Sequence, residues 1–105
     1  MITATVTRDT NGIYKGFEVK GHALFEEAGR DIVCSAVSIL VINTVNSIEQ
    51  FTDNLFDCDN RNGILFKFKK DPDEKASLLM DSLVLGLEGI SSNYSDYLRL
   101  EIKEV

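Results

Sequence analysis

The chain has 105 residues, of which 44% are apolar, and a net charge of −6. That length and composition give one domain with a modest two-layer core and exclude a disordered chain. The acidic balance disfavours direct contact with nucleic-acid phosphates; it suits a basic partner, or simply solubility.

His22 is the only histidine, and Cys34 and Cys58 are the only cysteines. This is a poor zinc set, so no metal and no cofactor is expected. No charged segment leads into an apolar run at the N-terminus. The longest apolar stretch, Ile32 to Ile42, is interrupted by Ser35 and Ser38. It reads as too short to span a membrane. The expectation is a cytoplasmic protein with reduced thiols. Self-association is the natural source of extra burial for so small a chain.

Residues 2–7 alternate strictly, with Ile2, Ala4 and Val6 on one face and threonines on the other. That pattern is a half-buried strand. Asn11-Gly12 then signals a hairpin, because both residues tolerate positive φ. Residues 13–20 return, with Phe17 and Val19 on one face. Gly21 to Arg30 has no clear period and reads as a loop.

Asp31 opens a run to about Gln50 in which Val33, Val37, Val41, Thr44 or Val45, and Ile48 recur at helical spacing. β-branched residues lower its helix propensity, but its length excludes a single strand. The run is apolar almost all round, which places part of it under a neighbouring subunit.

A second hairpin covers residues 54–59 and 64–69, with Asn60 to Gly63 as its turn. Phe51, Phe56, Phe66, Phe68 and Cys58 read as packing residues. Asp71, Pro72 and Glu74 then mark a helix start: cap, first helical position and capping box. Ala76, Leu79, Met80, Leu83, Leu87 and Ile90 form its apolar stripe, which ends near residues 91–93. Residues 97–105 alternate again. The order strand-strand-helix-strand-strand-helix-strand predicts an α+β two-layer sandwich, both helices on one face of the sheet.

The chemistry concentrates around the first helix. With Asp31 as N-cap, Cys34 falls in the first turn, where the positive end of the helix dipole favours a thiolate. Nearby backbone amides would hold an oxyanion. His22 lies 12 residues upstream, within reach across the loop. A neutral imidazole there takes the thiol proton and later protonates a leaving amine. Gly21 relieves crowding at the strand end, and Ser38, four residues after Cys34, shares its helix face. The residues alone leave open a small buried Cys, a surface His, and an Asp31 that only caps.

The blocks Gly-Phe-Glu-Val-Lys-Gly-His-Ala, residues 16–23, and Asp-Ile-Val-Cys-Ser-Ala-Val-Ser, residues 31–38, resemble the ribosomal-processing cysteine protease family. So does the late segment Leu83 to Ile90, and the likeness covers essentially the whole chain. The resemblance implies a bacterial homodimer of compact α/β fold. It implies removal of the N-terminal extension of a large-subunit ribosomal protein, after an aromatic stretch that is typically Phe-Phe with a small residue following. His22 and Cys34 match the family's catalytic pair. Gly21, Asp31 and Ser38 match supporting positions, and the loop from Ala23 to Arg30, with Phe25, is where substrate contacts would fall. Whether Asp31 orients His22 or only caps the helix stays open. The competing reading is a non-catalytic, dimeric ribosome-assembly binding module. A thiol-redox enzyme is disfavoured, since no resolving Cys stands near Cys34.

Overall fold

The computed structural model describes residues 1–21 and 28–105. Its elements are β1 (Ile2–Arg8), β2 (Tyr14–Lys20), α1 (Ala28–Phe51), β3 (Phe56–Asp59), β4 (Ile64–Phe68), α2 (Glu74–Asn93) and β5 (Leu98–Glu104). The strands form one mixed sheet in the order β3-β4-β2-β1-β5. β1 and β5 run parallel, and the other neighbours are antiparallel.

Strand parity decides which face is covered. Ala4 pairs with Val19 and Leu100, Val6 with Phe17 and Ile102, and Phe66 with Phe17 and Cys58. All of these side chains therefore share one face. Thr3, Thr5, Glu18, Lys67, Arg99 and Glu101 share the other, which is polar. Both helices lie on the apolar face, as the alternation predicts. Val33, Val37, Val41 and Ile48 of α1 and Met80, Leu83 and Leu87 of α2 are buried there. Each such side chain contributes about 1.5–3 kcal/mol relative to exposure. Among the described residues Thr44 is the buried polar exception, and its hydroxyl donates to the Leu40 carbonyl at 2.8 Å.

The β3-β4 end is held by aromatics. The Phe66 ring stacks on Phe17 and Phe56 at 4.9 and 4.7 Å between centroids and meets Phe68 edge-on at 4.9 Å. Such pairs add about 0.5–1.5 kcal/mol each beyond burial. At the other side of the sheet, the buried Tyr14 hydroxyl donates to Asp81 on α2 at 2.6 Å. Lys15 reaches Asp71 at 2.6 Å. These two contacts fasten β2 to α2 and the segment before it.

Several expectations are corrected. The first turn is a five-residue loop, in which the Asp9 carboxylate accepts from the amides of Asn11 and Ile13 at 2.9 and 3.0 Å. Gly12 has positive φ and Asn11 does not, because the side-chain bonds close the loop without a second left-handed residue. The cap of α2 is Asp73, accepting from the Ala76 amide at 2.9 Å, not Asp71. Asp71 is drawn to Lys15 instead, so Pro72 lies before the helix and Glu74 is its first residue. Phe51 is 66% exposed, since it ends α1 past the edge of the core. Residues 32–51 are long and apolar enough by length and composition to cross a bilayer, contrary to the shorter reading of that stretch. In this fold their inner face is spent on the core.

Candidate active site

Gly21 follows the last residue of β2 with φ +95, and a Cβ at this position would overlap the Met1 carbonyl oxygen. Only glycine satisfies both constraints without strain. The chain thus leaves β2 at a fixed point, one residue before His22. His22, Ala23 and Phe25 lie outside the described residues, as do the other loop positions up to Glu27.

The start of α1 differs from the sequence reading. The helix begins at Ala28, so Ala28, Gly29 and Arg30 are helical rather than loop. Asp31 is the fourth residue of the helix and is not its N-cap. Cys34 is the seventh. The unbonded amides of a helix start belong to its first four residues, here Ala28 to Asp31. The dipole's effect also fades beyond the first turn. Cys34 therefore lies beyond the first turn of the helix rather than within it.

Cys34 itself is half-buried and packs against the core beside the buried Val33 and Val37. Ser38 follows one turn later on the same side and is also half-buried. It opens onto a groove of about 500 Å³ between α1 and the β3-β4 hairpin. Ile42, Val45 and Ile64 supply its apolar wall, and Cys58 stands in it as well. Asn46 and Asn60 are its exposed polar edge. Gly63, in the turn between β3 and β4, has φ +79, and a Cβ there would overlap the Val19 carbonyl oxygen. This close approach keeps the hairpin tight against β2 and fixes the groove floor.

Cys58 was expected to be a packing residue and is exposed. Parity does turn it toward the helices, alongside Phe66. β3 is the edge strand, however, and α1 does not close over it. Partial burial, and then the neighbouring Asp59 carboxylate, push its thiol above the usual range. It is therefore less a thiolate than an ordinary cysteine near neutral pH. The groove was missed in the sequence because its walls are far apart along the chain. The pair Asn43 and Asn46, unusual in a run so largely apolar, was an available signal.

This is an α+β protein whose first helix carries a half-buried thiol beside an open groove. The model of the family described as cysteine protease Prp matches residues 1–99. The Bacillus subtilis ribosomal processing cysteine protease Prp is 36% identical over 107 residues, 95% of this chain and 96% of that protein. An essential ribosomal processing protease Prp from S. aureus, solved in complex with a covalently linked product peptide, has a TM-score of 0.86 at 28% identity, covering 98% of this chain and 100% of that one. A Streptococcus mutans protein of solved structure has a TM-score of 0.82 at 34% identity, covering 100% and 99%. The chain belongs to the cysteine protease Prp family, and with it to the cysteine peptidases.

Proposed function

We propose that this chain is an endopeptidase that removes the N-terminal extension of a large-subunit ribosomal protein, cutting after an aromatic stretch. The family match across residues 1–99, which contain both His22 and Cys34, carries this reading. The relatives' name, ribosomal processing cysteine protease, supports the substrate class. The covalently linked product peptide of the S. aureus relative supports covalent catalysis.

In this mechanism His22 takes the Cys34 thiol proton, and the thiolate attacks the peptide carbonyl. The tetrahedral oxyanion collapses to a thioester as His22 protonates the leaving amine. Water then hydrolyses the thioester and restores the thiol. Gly21 sets where the His22 segment departs from the sheet. Asp31 and Ser38 support the site from α1. The protein acts in the cytoplasm as a homodimer, for which Ile32 and Ile39, 60% and 70% exposed on α1, offer apolar surface.

The test is cleavage of a peptide bearing a Phe-Phe pair followed by a small residue. The parent should cut after the pair. Cys34→Ala and His22→Ala should lose activity by roughly 10³–10⁶-fold while staying folded. Equal cleavage by Cys34→Ala would overturn the Cys34 nucleophile, and no cleavage by the parent would leave the non-catalytic assembly module.

A further inference from the structure

We infer that the outward face of α2 is a docking surface for a basic segment of the substrate's mature body, the part that remains after the extension is cut away. This rests on the proteolytic reading above and adds a contact on a different helix from Cys34. Sequence spacing defines the face. Glu74, Asp81 and Glu88 recur every seven residues, and so do Leu78 and Leu85 between them. At 3.6 residues per turn all five fall within about 80° of the helix circumference, along about 20 Å of axis. They lie on the side turned away from the buried Ala76, Met80, Leu83 and Leu87. All five are exposed, and the two leucines are 67% and 72% so.

Charge decides the occupant. Elsewhere this chain covers acids with its own cations: Asp9 and Asp71 share Lys15, and Asp59 holds Arg61. Among the described residues, no lysine or arginine forms an ion pair with Glu74, Asp81 or Glu88. Asp81 accepts from the neutral Tyr14 hydroxyl. The helix itself does not ask for these acids, since only Glu74 stands in the first turn, where the dipole favours one. A second copy is a poor occupant: antiparallel packing of two such faces sets Asp81 against Asp81 and Glu74 against Glu88. Nucleic acid is repelled by the same carboxylates. Lysines or arginines spaced around apolar side chains satisfy both rows at once. A protein that sits among ribosomal RNA phosphates carries such cations. A second contact of this kind raises the effective concentration of the scissile bond at Cys34.

The test separates docking from proteolysis. Cys34→Ala is titrated with the mature ribosomal protein, which has no extension to cut. Binding should weaken as salt rises. It should fall about tenfold when Glu74→Gln, Asp81→Asn and Glu88→Gln are added together. Glu18→Gln, Asp57→Asn and Glu101→Gln, on the polar face of the sheet, make the same change in net charge and should leave binding nearly intact. Leu78→Ser with Leu85→Ser should weaken binding while keeping its salt dependence. With Cys34 present, the α2 charge variant should lower kcat/KM for the full-length precursor about tenfold. Its kcat/KM for the short Phe-Phe peptide should not change. No binding of the mature protein, or an equal loss in the sheet-face control, overturns the docking surface whether or not the protein cleaves. So does loss of short-peptide cleavage in the α2 variant. A change in sedimentation mass on neutralising the α2 acids would give the face to a second copy and overturn it too. A parent that cuts neither substrate, yet binds the mature protein through the α2 acids, sinks the proteolytic reading and leaves the docking surface standing.

Discussion

Gly21 lies directly against the backbone of Met1, with no room for a Cβ between its Cα and the Met1 carbonyl oxygen. The residue before the candidate base is thus pinned to the residue that precedes β1. Gly21→Ala meets both the overlap and a positive φ that L side chains rarely adopt. The expected cost is about 1–3 kcal/mol of stability, read from denaturant midpoints. Cleavage should fall further than the folded fraction does, because the departure of His22 shifts with it.

Phe66 is fully buried at the junction of three ring contacts. Phe66→Ala should cost about 3–5 kcal/mol. Phe66→Leu should cost less and restore cleavage in part. Urea titration followed by circular dichroism reads both.

Burial, and then the hydrogen bond to Asp81, push the Tyr14 phenol up to about 12. A phenol raised above its ordinary value of about 10 contributes stability that is complete below pH 10. That contribution is lost as pH rises toward about 12. Tyr14→Phe should be about 1 kcal/mol less stable at pH 7, since Asp81 is exposed and recovers water. Its stability should decline less than the parent's between about pH 10 and about 12, measured by denaturation at each pH.

The Ala76 amide, and then Asn54, hold the Asp73 carboxyl below the usual carboxylate range. Its stabilisation is present above the unfolded value of about 3.9 and is lost as pH falls through the lower folded value. Asp73→Ala should lower Tm by a few degrees at pH 7. Asp73→Asn keeps a capping side chain and should lose less stability than the parent on acidification below pH 5 (about one unit above the unfolded value).

The strands and their shared face were legible because alternation depends only on neighbouring residues, as in Ile2, Ala4 and Val6. Helix starts were less so. Asp71 and Asp73 are equally good caps as sequence, and the choice between them is made by Lys15, far away along the chain. Ala28 to Arg30 carries no apolar period, so nothing local marked the first turn of α1. Cys58 shows the limit of parity: it reports which face a side chain takes, not whether a helix covers that part of it. For the site, the motif blocks pointed to His22 and Cys34, the pair on which the proposed function rests. The dipole argument for Cys34 failed once the helix began a turn earlier. The groove needed three separate segments to be brought together before it existed at all.

The parallel pairing of β1 with β5 has a practical corollary. Ile2 stands beside Leu98 and Arg8 beside Glu104. The two chain ends therefore leave opposite ends of this strand pair, separated by the length of a seven-residue strand, roughly 20 Å. An affinity tag or fluorophore joined to Met1 emerges next to Gly21 and would crowd or report on the segment that carries His22. The same group joined after Val105 sits at the far end. Immobilising the protein through its C-terminus should leave substrate entry open, and a dye at Met1 should sense substrate arrival without any label in the site itself.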